Sequence, residues 1–321
     1  MNMPERIATP EVSVVIPTRD RSRLLALTLR SVRWQRGVDL EVLVVDDGST
    51  DDTAEVVAAI ADPRIRLVRQ PVAQGVSAAR NRGIAEAGGT WVAFLDDDDL
   101  WAPDKLVRQL QAAHQTGRAW VYTGGVNVDQ RLRVLEGGPP PPPDRVLELL
   151  ECYNPVPVGA SNVLVHAGTL ARAGPFDGRL RRTEDWDMWI RLARLGPPAW
   201  VCRPLTAYRM HPASNAAADA DRMLAEAAVL ADRYRIPVDR AAQYRRAAWT
   251  CLRAGRRREA LRHYVGAVRA GDVTSLARAA AALLHPAPKG SYLHRPFRGR
   301  DAPTRRWNAE AQVWLEQLAC A

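Results

Sequence analysis

Over its first 125 residues the chain alternates short β-branched runs with amphipathic stretches, and this alternation limits the fold more than any other feature. Val12 to Ile16, Glu41 to Asp46, Ile65 to Arg69, Trp91 to Leu95 and Trp120 to Thr123 read as strands. Between them Ser22 to Gln35, Thr50 to Ala61, Ser77 to Ala87 and Pro103 to Gln115 read as helices. Such an alternation predicts a mostly parallel sheet covered on both faces. Ser49 is placed to cap the second helix, with Asp51 and Asp52 in its first turn, where the positive dipole end favours acids. Pro103 suits the first turn of the fourth helix, where its missing N–H costs nothing. Open α/β sheets bind ligands beyond the carboxyl ends of their strands. Pro17 and Thr18 follow the first strand, Asp46 and Asp47 end the second, and Asp96 to Asp99 end the fourth. The alternation therefore predicts all three polar clusters on one edge of the sheet.

The third cluster lies within W-V-A-F-L-D-D-D-D-L-W, Trp91 to Trp101. Adjacent carboxylates repel one another, and beside a buried strand they need either a cation or full solvation. A hard divalent cation binds through one or two carboxylates together with substrate phosphates. The cluster thus points to a metal site that handles a phosphorylated substrate, with a solvated acidic turn as the alternative.

A chain of 321 residues can bury one large core and carry a smaller second unit. No apolar run approaches the roughly 20 residues that span a bilayer, and Met1 to Pro10 lacks the apolar core of a signal peptide. A cytoplasmic protein is expected. Cys152, Cys202, Cys251 and Cys320 lack metal-ligand or C-x-x-C spacing, so they predict reduced thiols rather than zinc or a disulfide framework. The net charge of +9 is concentrated late: from Arg240 to Arg269 one acid, Glu259, stands against nine arginines. Two readings follow, a solvated helix face or a patch facing anionic lipid on the inner side of a membrane. No nucleic-acid motif or aromatic platform accompanies the charge, so nucleic acid is not expected as a partner.

G-G-P-P-P-P-P, Gly137 to Pro143, predicts a stiff extended connector over an exposed loop. Asp144 to Leu150 reads as a short helix, Asn162 to His166 as a strand and Thr183 to Leu195 as a helix with an apolar face. Trp200 to Tyr208 reads as one or two short strands, followed by an irregular stretch around Pro212. Boundaries near residues 215 and 285 give a first domain, 1–214, in halves 1–125 and 126–214. A helical region, 215–285, and a tail with a short terminal helix, 286–321, complete the chain. R-A-G-R-R-R-E-A-L, Arg253 to Leu261, resembles the turn of a single tetratricopeptide-like hairpin.

Five motifs stand in order: V-S-V-V-I-P-T-R-D-R at Val12, V-V-D-D-G-S-T-D-D-T at Val44, G-V-S-A-A-R-N-R-G-I at Gly75, F-L-D-D-D-D at Phe94 and T-E-D-W-D-M-W-I-R-L at Thr183. Together they resemble glycosyltransferase family 2 over Val12 to His211. The resemblance implies a GT-A type fold, a nucleotide-binding α/β sheet joined to an acceptor-binding part and followed here by a C-terminal helical region. It implies inverting transfer from a UDP-, dTDP- or GDP-linked sugar to a hydroxyl of a glycan, lipid-linked sugar or small molecule, with Mn²⁺ or Mg²⁺. Such an enzyme builds cell-surface glycans, lipid-linked precursors or glycosylated metabolites.

Carried over residue by residue, Pro17, Thr18 and Arg19 meet the donor. Asp47 accepts the N–H of a uracil or similar base, while Asp46 holds the turn. Arg80 and Asn81 reach the donor's ribose or phosphates, with an ion pair to the acidic turn as the alternative for Arg80. Asp96 contacts the ribose and Asp98 binds the metal. Asp97 joins the donor side or is solvated, and Asp99 caps the helix at Pro103 or accepts a supporting hydrogen bond. Asp185 is the base that inversion requires opposite the leaving phosphate, with Glu184 as the alternative and Asp187 structural. His211 of Y-R-M-H completes the metal shell or contacts the diphosphate as a neutral imidazole. Trp186 stacks on an acceptor sugar, and Trp189 belongs to the core. Two rivals are a sugar nucleotidyltransferase and a non-catalytic scaffold with an interaction tail. The first needs a glycine-rich loop that I-P-T-R-D-R does not supply, and the intact acidic turn and Glu184–Asp185 pair argue against the second.

Overall fold

The computed structural model describes residues 9–211, 220–253, 255–284 and 302–320. Its first part follows the alternation: β1 (Val12–Thr18), α1 (Ser22–Arg33), β2 (Leu40–Asp46), α2 (Thr53–Ala59), β3 (Ile65–Arg69), α3 (Val76–Glu86) and β4 (Trp91–Phe94). There follow β5 (Leu100–Trp101), α4 (Lys105–Thr116), β6 (Trp120–Val128), β7 (Val134–Gly138), α5 (Pro143–Leu150), β8 (Val163–His166), α6 (Ala167–Ala173), α7 (Glu184–Leu195) and β9 (Ala199–Arg209). The helices α8 (Ala220–Tyr234), α9 (Arg240–Arg253), α10 (Arg257–Arg269), α11 (Ser275–Leu284) and α12 (Ala302–Cys320) complete the described chain.

One nine-stranded sheet runs β3-β2-β1-β4-β8-β6-β9-β5, with β7 paired to β6. The β3-β2-β1-β4 half is parallel, as the helical crossovers require, and β6 pairs β9 in parallel. β8 inserts antiparallel to both β4 and β6, which makes the sheet mixed. Along β1 successive side chains enter opposite layers. Val15 packs with Leu43, Phe94, Trp120 and Trp189, whereas Val14 and Ile16 pack with Leu25, Leu29 and Leu106.

Several local expectations change. α2 starts later than its pattern suggests, at Thr53, and Ser49 does not cap it; Ser49 Oγ instead accepts from Asp20 N at 3.0 Å. β6 continues to Val128, so the proposed division of the first domain at residue 125 falls inside a strand. Gly124 and Gly125 look like a strand end in sequence, yet both are places of close packing. A Cβ at Gly124 would come within 2.1 Å of the Trp307 ring, and one at Gly125 within 2.5 Å of Val158. Gly137 and Gly138 close β7 rather than opening a connector, and the first helical residue of α5 is Pro143. The expected tail with a short helix holds the nineteen-residue α12, whose Trp307, Trp314, Leu315 and Leu318 bury against Val126, Leu205 and Ala207 of the sheet. The boundaries expected near 215 and 285, and the stretch around Pro212, lie outside the described residues. Among the described residues no helix is long and apolar enough to cross a membrane.

Candidate active site

Parallel pairing delivers the strand ends together. Thr18 lies opposite Asp46 and Val15 opposite Phe94, so the turns after β1, β2 and β4 meet on one edge. The aspartates that follow β4 do not form a solvated turn. Asp97, Asp98 and Asp99 are buried, and only Asp96 is partly open, its side chain 37% exposed. Buried carboxylates need partners. Asp97 accepts from Thr18 Oγ1 at 2.8 Å and from Arg21 Nη1 at 3.1 Å. The same Arg21 nitrogen reaches Asp98 Oδ2 at 3.0 Å, and His211 Nε2 lies 3.0 Å from that oxygen. Asp99 accepts from Ser161 Oγ at 2.6 Å and caps no helix, since α4 begins behind Asp104. Beneath the turn Arg209, from the end of β9, donates to the Asp98 carbonyl, to Leu24 O at 2.7 Å and to Thr28 Oγ1 at 3.0 Å.

The environment ranks these acids. Burial and the adjacent Asp98 charge raise the pKa of Asp97, against the pull of Arg21. Burial raises Asp99 well above the ordinary range, with Asp98 and Asp96 adding to it. For Asp98 burial also pushes upward, but the His211 hydrogen bond and the Arg21 and Arg209 charges outweigh it, and the net shift is down. Asp98 is thus the buried aspartate of this turn whose ionised form the surroundings favour. It meets His211 at the rim, one carboxylate and one imidazole converging on one point. Among the described residues no group of three or more His, Cys, Asp or Glu side chains could hold an ion unaided. This two-ligand set fits a divalent cation that draws its remaining ligands from a diphosphate and water.

Asp46 and Asp47 divide as their turn requires. Asp46 Oδ1 accepts from Ser49 N at 2.7 Å and holds the turn. Asp47 grips the loop that opens α3, accepting from Gln74 N and Gly75 N at 2.7 Å each. A carboxylate has about four lone-pair sites, so each Asp47 oxygen keeps one for a further donor. Pro17 is buried within β1, whereas the Arg19 side chain is 57% exposed beside Asp20.

Arg80 joins the two halves of the site. Its buried guanidinium reaches Asp96 Oδ1 at 2.6 Å and Glu184 Oε1 at 2.9 Å, and lies over the Phe176 ring. Burial would lower its pKa, but the Asp96 and Glu184 carboxylates outweigh that and raise it. Arg80 therefore pairs with the acidic turn and is not free to hold donor phosphates. Asn81 is likewise corrected. Its amide makes a reciprocal pair with the Phe176 backbone, at 2.8 and 2.9 Å, which uses both of its polar ends to pin α3 to the loop before α7. Trp186 does not stack on an acceptor: it is 2% exposed, and Nε1 donates to Leu150 O at 2.8 Å. Trp189 lies in the core, stacked on Trp120.

Asp185 and Glu184 open α7. Asp185 is partly exposed, with Oδ2 accepting from Asn154 Nδ2 at 2.9 Å and Oδ1 from Trp186 N at 2.7 Å. Burial raises its pKa despite the Arg80 and Arg246 charges. Burial raises Glu184 as well; the Arg80 charge opposes this, and Asp185 adds to the rise. Gly159 faces Asp185 in the left-handed region, φ +51°, and a Cβ there would come within 2.9 Å of Oδ2. Behind the helix start, Glu226 of α8 accepts from Arg181 N at 3.0 Å, Arg182 N at 2.8 Å and Thr183 N at 3.1 Å. Asp187 is structural, paired with Arg191 and Arg233 and accepting from Tyr234 Oη.

Sequence reasoning passed over Arg21, Asn154, Gly159, Ser161, Arg209 and Glu226. Arg21 and Arg209 stand inside quoted motifs, P-T-R-D-R and Y-R-M-H, so position alone could have flagged them. Glu226 had no such signal.

The family model described as Glycosyl transferase family 2 matches residues 13–154. Among curated relatives, the amylovoran biosynthesis glycosyltransferase AmsB of Erwinia amylovora is 33% identical over 211 residues, covering 62% of this chain and 69% of that protein. The succinoglycan biosynthesis protein ExoO of Rhizobium meliloti is 41% identical over 117 residues, covering 36% of this chain and 34% of ExoO. A Rickettsia conorii glycosyltransferase, 28% identical, is covered over 35% of its length, so the chain spans about a third of these two relatives. Among solved structures, the mannosyltransferase PcManGT of Pyrobaculum calidifontis, in complex with GDP-Man and Mn²⁺, aligns with a TM-score of 0.56 at 19% identity, covering 99% of this chain and 88% of that one. Staphylococcus aureus TarS 1-349 in complex with UDP aligns at 0.53 and 14% identity, covering 97% and 91%.

Proposed function

The chain belongs to glycosyltransferase family 2, and from that premise we propose that it moves a sugar from a nucleoside diphosphate to a hydroxyl with inversion at the anomeric carbon. The observation that carries the reading is the Arg80 bridge. One buried guanidinium ties Asp96 at the donor edge to Glu184 beside Asp185, which supports reading the two carboxylate clusters as parts of one site.

In this mechanism Asp47 accepts the N–H of the base, and the half-open Asp96 carboxylate accepts from the ribose. The exposed Arg19 offers its charge to the diphosphate. Asp98 and His211 would hold Mn²⁺ or Mg²⁺, which when bound would offset the negative charge growing on the departing diphosphate. The acceptor oxygen attacks the anomeric carbon from the face opposite the leaving group. Its bond to carbon forms as the carbon–oxygen bond to phosphate breaks, and Asp185 takes the hydroxyl proton. Asn154 keeps the Asp185 carboxylate aimed, and Glu184, neutralised by Arg80, supports it.

The acceptor we assign is a glycan under construction for the cell surface, carried on a lipid at the inner face of the membrane. Support comes from AmsB and ExoO, named for amylovoran and succinoglycan biosynthesis. The Escherichia coli relative WfgD, 33% identical over 111 residues, covering 35% of this chain and 44% of WfgD, is named as acting on GlcNAc-diphosphoundecaprenol.

The test is thermal stabilisation of the purified protein by UDP-, dTDP- and GDP-sugars with Mn²⁺ or chelator, followed by transfer assays, because ligands of the native state raise apparent stability. Asp98→Ala removes the metal-dependent stabilisation. Asp185→Asn keeps it and loses transfer. No stabilisation by any nucleotide sugar sinks the reading, and transfer at the native rate by Asp185→Asn overturns the base.

A further inference from the structure

Away from the active site, α8, α9 and α10 enclose a groove of about 750 Å³. Three arginines stand on it, Arg240 at the start of α9 and Arg262 and Arg269 a heptad apart on α10. All three are exposed, and among the described residues Arg240 and Arg269 form no ion pair. Arg262 is tied at 2.6 Å to Asp221, the one acid among the described residues that line the groove. The wall therefore carries more positive than negative charge.

A second observation concerns the polar group inside. His263 is 2% exposed and lines the groove, yet among the described residues its Nε2 makes no hydrogen bond; a carboxylate oxygen of Asp221 is 3.7 Å away. Leaving a buried ring nitrogen unpaired is unfavourable, so such a group marks a place where a partner belongs. The surroundings are built around this ring. Tyr244 packs on His263 with ring centroids 6.5 Å apart, and glycine at 266 leaves room for the tyrosine ring, since a Cβ there would come within 2.6 Å of it. Burial keeps the imidazole below its ordinary pKa, so it is neutral at pH 7 and offers a single N–H from whichever nitrogen carries the proton.

We propose that this groove binds a phosphomonoester or diphosphate group, with Arg240, Arg262 and Arg269 supplying charge and His263 Nε2 the inner hydrogen bond. Guanidinium forks match phosphate oxygens in pairs, and several converging on one pocket suit a multiply charged anion better than a single carboxylate. The same chemistry is presented by a soluble diphosphate and by the headgroup of a phosphorylated lipid.

The experiment separates these sources. Inorganic pyrophosphate is titrated calorimetrically into the full chain in metal-free buffer, which keeps diphosphate off the acidic turn, while the His263 imidazole resonances are followed by NMR. In parallel the protein is sedimented with phosphatidylcholine vesicles with and without phosphatidic acid. Binding of pyrophosphate that shifts His263 and weakens at least about tenfold in Arg240→Gln/Arg269→Gln supports a soluble ligand. Binding to phosphatidic acid vesicles alone, lost in the same variant, supports a lipid headgroup. Both substitutions are at exposed positions, and an unchanged thermal midpoint verifies the fold. Binding to neither probe, or equal binding by variant and native protein, overturns the proposal.

Discussion

At the residue scale the site is governed by where charge is allowed to persist. Asp98 remains ionised because His211, Arg21 and Arg209 surround it, whereas Asp99, one residue on, is driven toward the neutral acid by burial. Asp185 lies between these limits, raised by burial and held by the Arg80 charge. As a base it must be ionised, so turnover rises with pH, and the acid limb sits above the roughly 3.9 of an ordinary aspartate. A profile of kcat from about pH 4 to 8 checks this; an acid limb at or below the ordinary value contradicts it. The stability term has the opposite sign. A carboxyl whose pKa is raised on folding binds its proton more tightly in the native state, so its contribution falls as pH rises from the unfolded to the folded value. Gly159 is the steric counterpart of this tuning. Gly159→Ala puts a methyl group 2.9 Å from Asp185 Oδ2 at φ +51°. It should lower kcat at least about tenfold while leaving donor-induced stabilisation intact. Native turnover in that variant would show that the Asp185 carboxylate need not stand where it does.

Among the elements, the start of α7 is the junction on which the site depends. Its N-terminal approach, residues 181–183, turns three backbone amides onto the Glu226 carboxylate of α8. Glu226→Gln places an amide group where those N–H groups need acceptors. A loss of about 1–3 kcal/mol in unfolding free energy is expected by urea titration, together with a drop in kcat that exceeds any change in donor KM. An unchanged urea midpoint with unchanged turnover would remove Glu226 from the site's support. This junction also shows what the sequence could and could not convey. Thr18, Asp46 and Asp96–Asp99 were legible because strand and helix alternation fixes which strand ends share an edge. Trp189 was legible as core from its spacing on one face of the helix. Partners were not legible, because pairing across the chain leaves no local pattern: Arg80 and Glu184 are separated by 104 residues and Arg21 and Asp98 by 77. Trp186 and Asn81 misled for the same reason. Their side chains read as ligand contacts until Leu150 O and the Phe176 backbone took up their polar atoms. Strand direction was illegible too, since a period of two is the same whichever way β8 runs.

The molecule as a whole is closed by its last helix. α12 lies on β7 and β9, with Trp314 Nε1 donating to Pro204 O at 2.9 Å and Arg203 paired with Glu310 at 2.6 Å. β9 is also the strand that ends in Arg209 and leads to His211, the two groups that reach the acidic turn. The last described helix therefore braces the far side of the strand that completes the site. Trp307 is the centre of this contact: it is 6% exposed, and its ring fills the space left by the missing side chain of Gly124. Removing it leaves a cavity against β6, a strand that pairs with β7 and with β9. Trp307→Ala should cost about 3–5 kcal/mol in a urea unfolding experiment. If α12 belongs to the same cooperative unit as the sheet, fluorescence and far-ultraviolet dichroism will report one transition moved to lower urea. A loss below about 1 kcal/mol, or a separate early transition confined to α12, would show instead that the sheet holds Arg209 and His211 in place without its last helix.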